Sequence, residues 1–137
     1  MTEVSETGEI SYPSGSLLVR GGVEADNSAA AGGGSGGLAR GSAVSAAGIW
    51  SGVSELPGGH RSVRHHHGDQ TTIVFIVNGA MTFAVEGPDG IDEFTARSGD
   101  FAVVPAGLIH AETNPSDTET CLCVVVRTGE IPIVVNV

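Results

Sequence analysis

Gly99-Asp100-Phe101-Ala102-Val103-Val104-Pro105-Ala106-Gly107-Leu108-Ile109-His110-Ala111-Glu112-Thr113-Asn114 is the stretch on which the reading of the fold turns. Gly99 permits a turn into the short apolar run 101–104, Pro105-Ala106-Gly107 makes the turn after it, and His110 opens a second strand pointing inward. Asn114 suits a strand-end turn, where its side chain bonds local backbone, so its expected role is structural.

The same grammar extends in both directions. The runs 71–77, 80–86, 122–127 and 131–137 read as strands, separated by Asn78-Gly79, Gly87-Pro88-Asp89-Gly90 and Ser98-Gly99-Asp100. Residues 16–20 and 48–55 add two more, and no segment keeps helical periodicity over three turns. Asn78-Gly79 is the strongest hairpin signal, because a two-residue loop there needs positive φ. Regular short strands with tight turns imply an all-β antiparallel barrel or jelly roll. Residues 28–48 are dominated by Ala, Gly and Ser, including Gly32-Gly33-Gly34-Ser35-Gly36-Gly37, and are expected to form a flexible loop. The expected organisation is therefore an N-terminal region of strand and loop, 1–47, followed by the barrel, 48–137.

A chain of 137 residues makes one domain with one modest core. The formal charge is −10, and the six basic residues are scattered arginines without a basic stripe, which argues against nucleic acid as a partner. There is no lysine, so Schiff-base catalysis and a lysine P-loop are excluded. No run of about 18 apolar residues codes a transmembrane helix, and the acidic start does not resemble a signal peptide, so a cytoplasmic protein without membrane partners is expected. Cys121 and Cys123 lie two apart in a β-branched run. They point the same way, too far apart for an unstrained disulfide, and are expected to be buried thiols.

The histidines carry the chemistry. Four of five fall within 60–67, and His110 follows more than forty residues later. On an extended segment His65 and His67 share a face while His66 takes the other. Two ligands from one strand and a third from a distant strand build a metal site with open positions for a small-molecule substrate.

Gly59-His60-Arg61-Ser62-Val63-Arg64-His65-His66-His67, continuing to Gly79, resembles the first motif of the cupin superfamily. Gly99, Pro105, Gly107, His110 and Asn114 match its second motif. The resemblance covers about 48–137 and implies a single small cupin barrel holding one divalent ion, Fe, Zn, Ni or Mn, on His65, His67 and His110. One departure stands out: where cupins place a glutamate ligand after the histidine pair, this chain has Thr71 and Thr72. Alternation from the histidines makes Thr71 the inward position, with Asp69 and Gln70 as the other possible replacements.

Three neutral imidazoles leave the ion a strong Lewis acid, suited to an enolisable or phenolic oxygen-bearing molecule. Histidine-dominated cupin sites occur in dioxygenases and in polyketide cyclases, so the resemblance implies either oxygenation or isomerisation, cyclisation or elimination. Glu112, two residues after His110, shares its inward face and is the candidate catalytic acid or base. A non-catalytic module that binds a small ligand or a metal is the rival, and a metal-free epimerase-like barrel a third reading. His60 is expected at the surface, Trp50 in the core, Arg64 out of the pocket, and Ile73, Phe75 and Cys123 facing inward. An exposed edge at 17–20 leads to the expectation of a homodimer.

Overall fold

The computed structural model describes residues 3–4, 9–19 and 39–137. The glycine tract at 32–37 lies outside them. The strands are β1 (Glu3–Val4), β2 (Glu9–Ser11), β3 (Leu17–Val19), β4 (Ala39–Ala46), β5 (Ile49–Leu56), β6 (His65–His66), β7 (Thr72–Asn78), β8 (Ala80–Gly87), β9 (Gly90–Arg97), β10 (Phe101–Val104), β11 (His110–Thr113), β12 (Cys121–Thr128) and β13 (Val135–Asn136). There is no helix among the described residues, and so none long and apolar enough to cross a membrane.

β1, β2 and β3 form a small sheet of their own. The remaining strands make two five-stranded antiparallel sheets, ordered β10-β7-β12-β5-β4 and β13-β6-β11-β8-β9. The result is a jelly-roll sandwich of the expected all-β class, in which the two sheets are not hydrogen-bonded into a closed cylinder. Period-two alternation explains why these segments pair as they do. In β12, Cys121, Cys123, Val125 and Arg127 are buried, while Leu122, Val124 and Val126 lie on the outer side. Trp50, Ile76, Phe83, Val104 and the two free cysteines meet between the sheets. Each large apolar side chain buried there stabilises the fold by about 2 kcal/mol.

Three expectations are corrected. Residues 39–46, read as part of a loop, form β4 and pair along the length of β5, with a register shift between Ser42 and Val44. Backbone pairing to a well-packed neighbour orders an Ala- and Ser-rich segment that has little surface of its own to bury. The indole Nε1 of Trp50 donates to Ser42 Oγ at 3.1 Å and fastens the pair.

Asn78-Gly79 does not close a hairpin. β7 pairs with β10 and β12, whereas β8 pairs with β9 and β11 in the other sheet, so the dipeptide is the corner where the chain changes sheets. Gly79 has φ +88°, and a Cβ there would lie 2.8 Å from Thr120 O and 2.9 Å from Cys121 Cα, so close approach of two backbones explains the glycine. Two-residue hairpin loops are instead Ala47-Gly48, between the paired Ala46 and Ile49, and Pro88-Asp89, between the paired Gly87 and Gly90.

β9 was not expected and the strand expected over 131–137 shrinks to Val135–Asn136. β9 is exposed along most of its length, so its residues carry no alternation to read.

Candidate metal centre

β6 and β11 are neighbours in one sheet, and His65 and His110 are directly opposed partners in their pairing. His67 follows β6 on the same face. All three are buried, with ring centroids 4.4 to 5.0 Å apart. Each Nδ1 faces a backbone carbonyl oxygen: His65 that of Val63 at 2.7 Å, His67 that of Ile133 at 2.7 Å, and His110 that of Leu108 at 2.9 Å. A carbonyl only accepts, so each Nδ1 carries a proton and Nε2 is the nitrogen each ring has available for a ligand.

Glu112, inward with His110 as alternation predicts, completes the set. Its Oε1 lies 3.3 Å from His110 Nε2 and its Oε2 3.5 Å from His65 Nε2. One donor atom from each of His65, His67, His110 and Glu112 falls within 4.8 Å of the others. Two ligands at about 2.1 Å from one ion stand about 3.0–3.4 Å apart, close to the 3.3 and 3.5 Å separations here, so the set suits a first-row divalent ion. The buried Nε2 of His67 has no hydrogen-bond partner among the described residues, as expected of a ligand nitrogen. The residues present thus fit a metal, and the set is three histidines with one carboxylate rather than three histidines alone. The carboxylate comes from two residues beyond His110, not from the segment after the histidine pair.

Ser62 holds Glu112 in place. Its Oγ donates to Glu112 Oε2 at 2.9 Å and accepts the Glu112 amide at 2.9 Å, while the Ser62 amide donates to the Glu112 carbonyl at 2.9 Å. Electrostatics follow from this packing. Burial, then the charge of Arg127, lowers the His67 pKa to about 3. Burial also opposes charge on His110, but its hydrogen bond to Glu112 and the carboxylate's charge outweigh burial and raise its pKa. Burial pushes the Glu112 carboxyl upward, yet His110 and His65 hold it well below the usual carboxylate range. The contact between His110 and Glu112 therefore favours the charged form of both partners.

The turn after His67 reverses the expected parity. Gly68 adopts φ +60° and the Gln70 amide bonds the His67 carbonyl at 3.1 Å, so Thr72, Val74 and Ile76 face inward instead of Thr71, Ile73 and Phe75. Ile73 is 39% exposed and Phe75 packs against the tilted ring of Phe101 on the outer side. Asp69 is exposed. Gln70 is buried but spent on the Ile131 carbonyl and the Ile133 amide. His60 is 3% exposed and lines the cavity, correcting its expected surface position.

Arg64 points away to Glu86, Trp50 and Cys123 are core, and Asn114 ties the backbone at Leu56, Pro57 and Glu119, all as expected. Sequence reading gave no role at the site to Ser62, which lies beside the histidine pair, or to Thr72, Arg127 and the Ile133 carbonyl, which reach it from three other segments.

Residues 52–127, more than half of the chain, match the family described as Cupin domain. No curated protein matches the sequence. Solved structures of similar fold include an oxalate oxidase (21% identity, TM-score 0.66, 74% of this chain and 56% of that one). Another is peruvianin-I, a cysteine peptidase from Thevetia peruviana latex (16%, 0.66, 74% and 68%). A third is the oxalate decarboxylase of Bacillus subtilis (19%, 0.68, 75% and 29%). At these identities the likeness is one of fold, and the chain spans about half the length of the oxidase and under a third of the decarboxylase.

Proposed function

The chain belongs to the cupin domain family, and from that premise we propose that it is a metal-dependent enzyme acting on a small oxygen-bearing molecule. The observation that carries this reading is the gathering of one donor atom each from His65, His67, His110 and Glu112 within 4.8 Å, every histidine fixed by an Nδ1–carbonyl bond. His65, His67, His110 and Glu112 would hold one divalent ion, iron, zinc, nickel or manganese. Bound there, the ion polarises a ligand oxygen and, if redox-active, supports oxygenation; otherwise isomerisation, cyclisation or elimination is open to it. In this reading Glu112, with Oε1 toward His110 and Oε2 toward His65 and Ser62, would be the group that accepts a substrate proton.

The cavity narrows the substrate. The space open to the centre of a water molecule is about 20 Å³, enough for a water, which supports a small ligand. Two of the similar structures are oxalate-converting enzymes, which supports a small substrate here as well.

Metal analysis of freshly purified, untagged protein tests the reading, followed by oxygen-consumption and product assays with small enolisable acids. Absence of a stoichiometric ion would overturn it. A non-catalytic binding module is the second reading, favoured by the small cavity, and stoichiometric metal with tight binding of unchanged ligand would support it. We also propose a homodimer, since Phe101 and Val103 are 71% and 56% exposed on β10, at an edge of its sheet; sedimentation equilibrium decides this.

A further inference from the structure

We propose that Arg127 and Thr72 form a carboxylate-binding subsite beside the donor cluster, and that the substrate is a small carboxylate. This rests on the metal-dependent reading above and names the substrate class for the same site. Arg127 lies on β12 with Thr72 of β7 as its directly opposed partner, and both line the cavity that also exposes His65 and Glu112.

Arg127 is 2% exposed, and its guanidinium stands 5.3 Å from the centre of the Trp50 ring, which holds it in the interior. A guanidinium stays charged wherever it is buried. Thr72 is 3% exposed, and its Oγ1 is buried with no hydrogen-bond partner among the described residues. An unsatisfied buried hydroxyl beside a buried cation is a costly arrangement for folding alone and a ready one for an anion.

The charge balance points the same way. Among the described residues lining the cavity, the charged side chains are Glu112 and Arg127, and they cancel. The histidines are neutral when they ligate, so a divalent ion leaves the cavity with its whole charge uncompensated. A cation next to a metal ion disfavours metal binding until an anion lies between them; a carboxylate there turns repulsion into two attractions. A planar carboxylate matches the guanidinium fork and leaves an oxygen for Thr72 Oγ1.

The test uses full-length protein loaded with Co²⁺, whose visible absorbance reports on its surroundings, titrated with acetate. Arg127→Met and Arg127→Lys are expected to weaken acetate by about tenfold or more, and Thr72→Val by about threefold to tenfold, with the Co²⁺ stoichiometry of the unmutated protein retained. Thr72→Val is nearly isosteric and carries the test if the arginine variants do not fold. Unchanged acetate affinity in folded, Co²⁺-loaded variants overturns the subsite alone, and so does chloride or phosphate competing as strongly as acetate. Failure of the unmutated protein to bind Co²⁺ overturns both this inference and the metal-dependent reading.

Discussion

Ser62 and Glu112 are joined by three hydrogen bonds, one backbone to backbone and two through the Ser62 hydroxyl, each 2.9 Å long. The serine thereby decides where the carboxylate points. Ser62→Ala removes both side-chain bonds. It is expected to lower metal affinity by about tenfold, the lower end of what loss of a supporting partner costs, and stability by about 1–2 kcal/mol. Competition with a chelator and a urea melt measure the two, and unaltered affinity would show that Glu112 needs no support.

The source of the carboxylate is testable by exchange. Glu112→Gln is expected to weaken metal binding by about tenfold to a hundredfold, and His110→Ala to abolish stoichiometric metal in untagged protein. Thr71→Glu, which restores a glutamate near its usual sequence position, is expected to leave affinity unchanged because the inward face starts at the buried Thr72 and Thr71 is off it. Strengthened binding in that variant would contradict the parity reversal at Gly68.

Metal binding is expected to release a proton. The raised pKa of His110 keeps its imidazolium populated above the pH at which a free histidine is neutral, and the ion must displace that proton. His67, with its pKa near 3, and Glu112, held well below the usual range, are already deprotonated at neutral pH and release none. Affinity therefore falls as pH drops below the raised His110 pKa, by about tenfold per pH unit for one proton. In the metal-free protein the signs are opposite for the two partners. The His110 contribution to stability is lost as pH rises through its raised pKa, and that of Glu112 as pH falls through its depressed one. Calorimetric titrations in buffers of different ionisation enthalpy count the protons, and a count of zero would refute the pairing.

Gly79→Ala is expected to destabilise the fold by about 2–4 kcal/mol, since it combines a positive φ with a Cβ pressed against backbone atoms. An urea midpoint unchanged by the substitution would mean the corner is free to shift.

Burial raises the Cys121 thiol to about 11, so at pH 8 it is protonated and enclosed. A thiol reagent at pH 8 is expected to react slowly with Cys121 in the native protein and rapidly in denaturant. Fast native labelling would place that thiol at the surface.

The legible part of the fold was the part with strong local signals. The existence of β7, β8, β10 and β12, the turn at Pro105-Ala106-Gly107 and the role of Asn114 all follow from side-chain chemistry acting over a few residues. β4 and β9 were opaque because an Ala- and Ser-rich strand and an exposed acidic strand are ordered by their neighbours, and neither carries an apolar pattern. The Asn78-Gly79 corner was misread for a related reason. Glycine there answers to the approach of Thr120 and Cys121, more than forty residues later in the chain.

The site divides along the same line. His65, His67, His110 and the inward direction of Glu112 follow from sequence alone, because period-two alternation on an extended strand is a local property. Folding decided the rest. The turn at Gly68 moved the inward face from Thr71 to Thr72, and β11 carried Glu112 to the Nε2 atoms of His65 and His110. The pairing of β7 with β12 set Thr72 opposite Arg127. Such juxtapositions depend on which strands become neighbours, and that is fixed by how two whole sheets pack.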